Sequence, residues 1–408
     1  MSDYKSFQRY SQRLMFNNPD LDCSLLQFLG SVPYGGAAVG ECLHAANQVD
    51  ERNPESWVAA WGGLADVLDQ SAAEAAAAGY LVSARQKYLR ATTYHKAASV
   101  LLPPEARLYD RWQRMRASFS RAIALPGTVV EPMAIPFGDW VIPGYLVHGV
   151  GEGLRPTIIL VGGGVCYAEE MLFWAGVPGA ARGYHVLLTD LPAQAAGPMW
   201  GFDVGAALRA SSPNALIQGV LGALVNTLLA RPDVDAHRLA VYGISGGGYL
   251  MAAGVAAEPR IAAAVLSTPI TDLYRVFEAE WPPALRAVPA FVTTTLARAA
   301  ARVNPVTRIT LQKALATLGA ADMAAYMDIT WQCVVDPAEI HQPVLCMAGA
   351  GDPAECLRQT RDTYDRLRHP ARRLVIFDEA SGADAHCQVN NPALAYETAF
   401  DWLDEVLG

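Results

Sequence analysis

The chain is short of charge. Only 17% of its 408 residues are Asp, Glu, Lys or Arg, and 40 acidic residues against 31 basic ones leave a net charge of −9. No block of Lys or Arg breaks that balance, which excludes a general nucleic-acid surface. Long apolar runs are also missing. The most apolar stretches, such as 215–230, are interrupted by polar residues, there Gln218 and Asn226. They fall short of the roughly 18 apolar residues a membrane span needs. The first ten residues have no apolar core and no small-residue cleavage site, so a signal peptide is not expected. The seven cysteines (23, 42, 166, 333, 346, 356 and 387) are scattered and odd in number, with no C-x-x-C. Neither a disulfide framework nor a zinc site is indicated, and a reducing cytoplasm fits best. What the chain has instead is apolar mass. Hydrophobic residues make up 52%, enough to bury a large core and to exclude disorder. The length suggests two or three folding units. An acidic protein that handles a small-molecule substrate is the expectation, without nucleic acid or membrane as partner.

Two regimes divide the chain. Residues 1–125 read as helical: 71–80 is rich in alanine, 81–102 spaces Leu81, Tyr88, Ala91, Tyr94 and Ala98 on a helical period, and 105–124 resumes it after Pro103-Pro104. From about 128 the period changes. Segments 129–136 and 140–148 look like paired strands around Phe137-Gly138-Asp139. Strand and helix signals then alternate. The expected strands are 157–161, 185–191, 238–243, 261–267, 343–348 and 373–377. The expected helices are 168–181, 213–230, 246–257, 353–367 and 392–407. Such alternation implies an α/β fold with a mostly parallel, doubly wound sheet covered by helices on both faces. It stops between 268 and 342, where 284–303 and 306–318 read as helical, as in an inserted cap. The expected organisation is a helical region (1–125), a first core segment (126–267), the cap (268–342) and a second core segment (343–408).

The chemistry centres on Gly243-Ile244-Ser245-Gly246-Gly247. G-x-S-x-G carries meaning only between a strand and a helix, and both are expected here. Glycine on either side of the serine lets the turn be sharp enough to lift Oγ above the sheet. Serine alone is too weak an acid to attack, so it needs a base. Among the histidines only His386 lies in a loop after the last strand and before the last helix. The acid is expected after the penultimate strand, where Gly349-Ala350-Gly351 ends at Asp352. Its part would be to hold the imidazole tautomer. Asp272 and Asp384 are rival acids. An oxyanion needs two backbone N–H groups, one from Gly246 and one from Gly162-Gly163-Gly164, with Gly163 and Gly164 both open as donor. A phosphate loop fits less well, because the spacing differs from G-x-G-x-x-G and no G-K-[ST] occurs. No cofactor and no metal are expected. Tyr167, Trp174 and Trp200 are candidates for an aromatic pocket, with plain core packing as the alternative. Glu169-Glu170 read as acids in the first turn of a helix.

These motifs together resemble the α/β-hydrolases. Within them they resemble the branch of the bacterial 2,6-dihydroxypseudooxynicotine hydrolase and the fungal pigment-pathway hydrolases that shorten polyketides. The resemblance covers most of the chain. It includes the helical segment 79–94, Ile142-Pro143-Gly144-Tyr145-Leu146, the Gly-Gly loop followed by Glu169-Glu170, and His386-Cys387-Gln388 ahead of Asn390-Asn391-Pro392. It implies a serine nucleophile and, in many members, hydrolysis of a carbon–carbon bond beside a ketone. Ser245 would attack, and His386 would protonate a carbanion leaving group. Other members are esterases or thioesterases. The N-terminal helical layer often dimerises in this branch, so a homodimer is an open expectation.

Two positions depart from the branch. Val165 stands where the nicotine-pathway enzyme carries an acid. Asp190-Leu191-Pro192-Ala193-Gln194-Ala195 replaces the usual Asp-Gly-Pro-Gly-x-Gly. Val165 and Asp190 are therefore further pocket candidates. The expected activity is hydrolysis of a hydrophobic, aromatic or polyketide-like ketone, ester or thioester. Acyl transfer or cyclisation from the same acyl-enzyme is one alternative, and a non-catalytic ligand-binding protein on the same fold is another. Gly-x-Ser-x-Gly-Gly-Tyr also resembles the oligopeptidases. Those carry a propeller of several hundred residues ahead of the hydrolase domain, where this chain has about 125 helical ones.

Overall fold

One eight-stranded sheet organises the larger part of the chain. Its strands are β1 (Val130–Phe137), β2 (Trp140–Val147), β3 (Arg155–Val161), β4 (His185–Thr189), β5 (Val234–Ile244), β6 (Ala263–Ser267), β7 (Val344–Gly349) and β8 (Arg373–Phe377). The structure is a computed structural model that describes residues 13–127, 129–280 and 304–408, with 295, 299, 301 and 302. The strand order is β1-β2-β4-β3-β5-β6-β7-β8. From β4 to β8 every neighbouring pair is parallel, and β2 runs antiparallel to β4. Every residue of β4, β6 and β7 is buried. Strands covered on both faces read as unbroken apolar runs, which is why Val186-Leu187-Leu188 and Ala263-Ala264-Val265-Leu266 stood out. At the sheet edge β1 keeps only Val130 and Ile135 buried. An edge is also where Pro132 and Pro136 are tolerated, since a proline withholds one ladder N–H.

The strand order reverses between β3 and β5. The chain leaves β3 for β4 on one side, then crosses back to lay β5 on the other. A reversal of this kind opens a crevice beyond the carboxyl ends of the two strands. The Gly162–Gly164 loop leaves β3 there, and Ser245 leaves β5. Helices Pro213–Leu229 and Gly246–Val255 share one core with the strands, with Val220, Leu224 and Met251 in the same cluster as Ile159 and Val241.

The expected helix 168–181 is broken into three. A 3-10 turn spans Ala168–Glu170, a π turn Leu172–Gly176 and a short α-helix Val177–Ala181. Pro178 has no N–H to return to Trp174, so a regular i to i−4 ladder cannot pass this point.

The chain divides into two compact units. Among the described residues, one comprises 131–280 and 317–408, with the sheet; the other comprises 13–127, 129–130 and 304–316, with 295, 299, 301 and 302. Helices Leu273–Glu280 and Met323–Trp331 fall in the first unit, and most of Pro305–Leu318 falls in the second. The expected helix 284–303 lies largely outside the described residues.

The second unit contains α1 (Pro19–Gly30), α2 (Val39–Ala46), α3 (Pro54–Ala77), α4 (Leu81–Ser99) and α5 (Ala106–Ile123). Asn18 and Asn53 cap α1 and α3, each followed by proline at the first helical position, the arrangement that leaves the fewest orphan donors. Buried Asp22 accepts the N–H groups of Leu14, Met15 and Phe16. Phe28, Trp57, Trp61 and Tyr94 form a ring cluster, and Trp57 Nε1 donates to Ala97 O at 2.8 Å. Helix Pro305–Leu318 is stitched to this unit by Lys313, whose ammonium donates to Ser99 O at 2.7 Å and Val100 O at 3.1 Å. Among the described residues, no helix is long and apolar enough to cross a membrane.

Candidate active site

The turn at Ser245 is forced by close backbone approach. A Cβ on Gly247 would lie 2.2 Å from Val161 O, and one on Gly243 2.3 Å from Gly247 O. Neither position admits a side chain. Ser245 itself has φ 55° and ψ −116°, a conformation a residue with a Cβ adopts only when its surroundings impose it. Two bonds impose it here. Ser245 N–H donates to Ser267 O at 2.8 Å, and Gly248 N–H donates to Ser245 O at 2.7 Å.

Ser245 Oγ lies 2.9 Å from His386 Nε2. On the other side of the ring, His386 Nδ1 hydrogen-bonds Asp352 Oδ1. The second carboxylate oxygen of Asp352 accepts Thr268 Oγ1–H at 3.1 Å and Gly349 N–H at 3.0 Å. A carboxylate at Nδ1 keeps the proton there and turns the Nε2 lone pair toward the serine hydroxyl. Burial opposes a charged His386 ring, but Cys387 and the Asp352 carboxylate beside it outweigh burial, and its pKa is raised well above the usual 6.5.

The rival acids are engaged elsewhere. Asp272 accepts Arg275 N–H at the start of the helix Leu273–Glu280, and Asp384 accepts from Asn390 Nδ2. Three other histidines have partners of their own. His95 pairs with Asp69 and His148 with Glu131, and His369 Nδ1 accepts Ala371 N–H.

The histidine loop is strained and latched. Cys387 and Gln388 have φ of 54° and 57°, and Thr268 beneath them has 58°. Asn390 Oδ1 accepts Ala385 N–H, and Ser267 Oγ donates to Gln388 Oε1 at 3.0 Å. A Cβ on Gly349 would sit 2.1 Å from Asp384 O, so the loop rests directly on the end of β7. Residues 267 and 268 act on this site from the end of β6, and composition and spacing gave no hint of them.

Three backbone donors lie in the loops that meet at Ser245. Among the described residues the N–H groups of Gly163, Gly164 and Gly246 have no acceptor. A Cβ on Gly246 would come within 2.8 Å of Gly164 N, and one on Gly163 within 3.5 Å of Ser245 Cβ. The glycine loop and the nucleophile turn therefore touch. Gly246 also opens the helix Gly246–Val255, whose N-terminal end favours negative charge. Such a group of donors suits a developing oxyanion.

The pocket candidates separate. Val165 is 67% exposed. Tyr167 and Trp174 are buried, and half-buried Trp200 packs against the main core. Asp190 Oδ2 accepts Ala168 N–H at 3.0 Å, fastening the loop after β4 to the loop after β3. Glu169 and Glu170 do lie in a first helical turn, but both are buried. Glu169 accepts Tyr145 O–H at 2.8 Å and Glu170 accepts Tyr167 N–H at 2.9 Å. All seven cysteines are buried and free of disulfides.

Outside this site, His148, His185 and Asp233 bring candidate metal-ligand atoms within 4.8 Å of one another. Their bonding disfavours a metal. Asp233 accepts Nε–H and Nη2–H of Arg231, one on each carboxylate oxygen. His185 Nδ1 accepts Gly149 N–H, which leaves the proton on Nε2, the atom facing Asp233.

Comparison with known proteins follows the same lines. A family model described as the prolyl oligopeptidase family matches residues 221–324, which include the turn at Ser245. The 20-hydroxy-prefusarin hydrolase FUS2 of Gibberella moniliformis (strain M3125 / FGSC 7600) is 31% identical over 276 residues, 66% of this chain and 65% of that protein. The α/β hydrolase xenA of Xenoacremonium sinensis is 33% identical over 269 residues, 62% of this chain and 61% of its own. The similarity thus spans somewhat less than two thirds of these relatives. Among solved structures, 2,6-dihydroxy-pseudo-oxynicotine hydrolase superposes with a TM-score of 0.69 at 20% identity, covering 93% of this chain and 95% of that one. AbyA5 superposes with a TM-score of 0.62 at 18% identity, covering 96% and 94%. The chain has the fold of 2,6-dihydroxy-pseudo-oxynicotine hydrolase and is similar in sequence, over about two thirds of its length, to fungal α/β hydrolases.

Proposed function

We propose that this chain is a serine hydrolase that cleaves a hydrophobic, aromatic or polyketide-like ketone, ester or thioester. The reading rests on one observation: a serine hydroxyl 2.9 Å from an imidazole that is itself bonded to a buried carboxylate, beside backbone donors that have no other acceptor among the described residues. His386 Nε2 takes the Ser245 proton as Oγ bonds to the carbonyl carbon. The carbonyl oxygen becomes an oxyanion held by Gly246 and the Gly163–Gly164 loop. On collapse the carbonyl re-forms and the leaving group departs with the electron pair of the broken bond, protonated by His386. Water, deprotonated by the same imidazole, then releases the acid and frees Ser245. A carbon leaving group requires stabilisation as an enolate, as in a β-diketone. The substrate class draws support from the relatives, one of them a hydrolase of 20-hydroxy-prefusarin.

A fluorophosphonate probe tests the nucleophile. Wild type should label stoichiometrically and Ser245→Ala should not; labelling that is absent, or equal in both, ends the proposal. Turnover of a candidate substrate in ¹⁸O-water then reports the bond. Label in an acid with a released C–H fragment identifies carbon–carbon hydrolysis, and a released alcohol or thiol identifies ester or thioester cleavage. An unlabelled product identifies acyl transfer.

A further inference from the structure

Gln194 stands in the loop after β4, between two alanines and with no exposed surface. A primary amide offers two donors and one strong acceptor, and burial makes each unmet bond costly. Here the acceptor and the donor end are both used on backbone. Gln194 Oε1 accepts Leu191 N–H at 2.6 Å, which curls the side chain over its own loop. Its Nε2 donates to Gly162 O at 2.8 Å and to Gly163 O at 2.9 Å. Ala195 N–H adds a bond to Gly164 O at 3.0 Å. Three successive carbonyls of the loop after β3 are thereby drawn to one side by two adjacent residues of the loop after β4.

The consequence follows from the planar trans peptide. The C=O of one residue and the N–H of the next point in opposite directions. With the carbonyls of Gly162 and Gly163 turned toward Gln194, the N–H groups of Gly163 and Gly164 must turn away from it. Neither of these donors has an acceptor among the described residues. Gly164 N is the one nearest Gly246, 2.8 Å from where a Cβ there would stand. A loop of three glycines would otherwise be free to rotate these peptides, because glycine populates almost every backbone conformation.

We infer that Gln194 is a positioning residue: it sets the peptide orientation of the Gly162–Gly164 loop, and so aims the Gly163 and Gly164 N–H groups at the oxyanion formed on attack by Ser245. It touches no substrate. The inference rests on the serine-hydrolase reading given above and deepens it.

The test compares wild type with Gln194→Met, which keeps the volume, and Gln194→Glu, which keeps the shape and the acceptor but replaces the donating nitrogen with oxygen. The probes are p-nitrophenyl acetate and phenylboronic acid, whose serine adduct is a tetrahedral anion. Loss of one oxyanion donor lowers kcat by about 10²–10³. Both variants should lose kcat on that scale with KM within about threefold of wild type, and boronate affinity should fall in step with kcat. Melting temperature and fluorophosphonate labelling at Ser245 keep the outcomes apart. Wild type that neither labels nor turns over the ester means that the serine-hydrolase reading itself has failed, and the inference with it. Wild type that labels, beside a folded variant with unchanged kcat and boronate affinity, overturns the role of Gln194 alone. A variant that loses KM, kcat and thermal stability together assigns Gln194 a merely structural part and also overturns the inference. If Gln194→Met does not fold, Gln194→Glu decides by the same measurements.

Discussion

At the scale of single residues, His386 carries opposite demands. Its pKa is raised well above 6.5: burial disfavours the charged ring, and Cys387 and Asp352 overcome that. In the proposed mechanism the neutral ring is the base, so activity should climb with pH along a limb set by the folded-state pKa. Stability runs the other way. A raised pKa contributes stability that is fully present below the unfolded value and is lost as pH rises through the folded one. The melting-temperature gap between wild type and His386→Ala should therefore shrink over the pH range in which kcat grows. Asp352→Asn should lower kcat by about 10⁴ and move the limb to lower pH, seen in a pH–rate profile. Thr268, with Gly349 N–H, supplies a further hold on Asp352, through a hydrogen bond to a charged group of the kind worth about 1.5–3 kcal/mol. Thr268→Val should cut kcat roughly tenfold or more, and Thr268→Ser should restore it, because serine keeps the donating hydroxyl.

At the scale of elements, the strand–turn–helix at Ser245 makes a sharp comparison between glycines. Gly243→Ala or Gly247→Ala drives a methyl into backbone oxygens at 2.3 or 2.2 Å. Either should cost more than about 3 kcal/mol, or yield no soluble protein. Gly164→Ala meets nothing within 4 Å and should melt within about 2 °C of wild type, a shift that corresponds to about 1–2 kcal/mol for a chain of this length. Thermal denaturation of the three variants checks both statements. The same elements show what local sequence can reveal. Interior parallel strands such as β4 and β6 are legible because burial on both faces leaves an unbroken apolar run. Ser245, Asp352 and His386 are legible because each follows a strand in a fixed order along the chain. The break at 172–178 was hidden because apolar spacing looks alike in α and π turns, and only Pro178 marked the fault. Gln194 and Thr268 were hidden for a different reason. Their partners, Gly162, Gly163 and Asp352, lie in other loops, and only the strand order brings those loops together.

At the scale of the whole molecule, Lys313 ties a late helix to the early helices of its unit. Burial, and Lys96 nearby, push its ammonium down to about 7. A depressed lysine pKa means the unfolded chain holds more protons than the folded one between about pH 7 and 10.5, so stability from this group rises with pH across that window. Lys313→Met should flatten that rise, read as the slope of melting temperature against pH for the two proteins. A melting curve of unchanged slope would mean that the ammonium is solvated in the folded protein.

Among the described residues, the second unit draws on 13–127, 129–130 and 304–316, with 131–280 of the other unit between them. On a ribosome this order matters. The helical segment emerges first, yet the helix that carries Lys313 is not made until β1 through β6 have been synthesised. The first unit is also delayed, since β7, Asp352 and His386 come last. The second unit cannot complete before residue 316 has emerged, and the first must wait longer, for β7 and β8. Nascent chains halted shortly after residue 267 should therefore be protease-sensitive throughout, and the helical unit should gain protection only once residue 316 has emerged, ahead of the sheet.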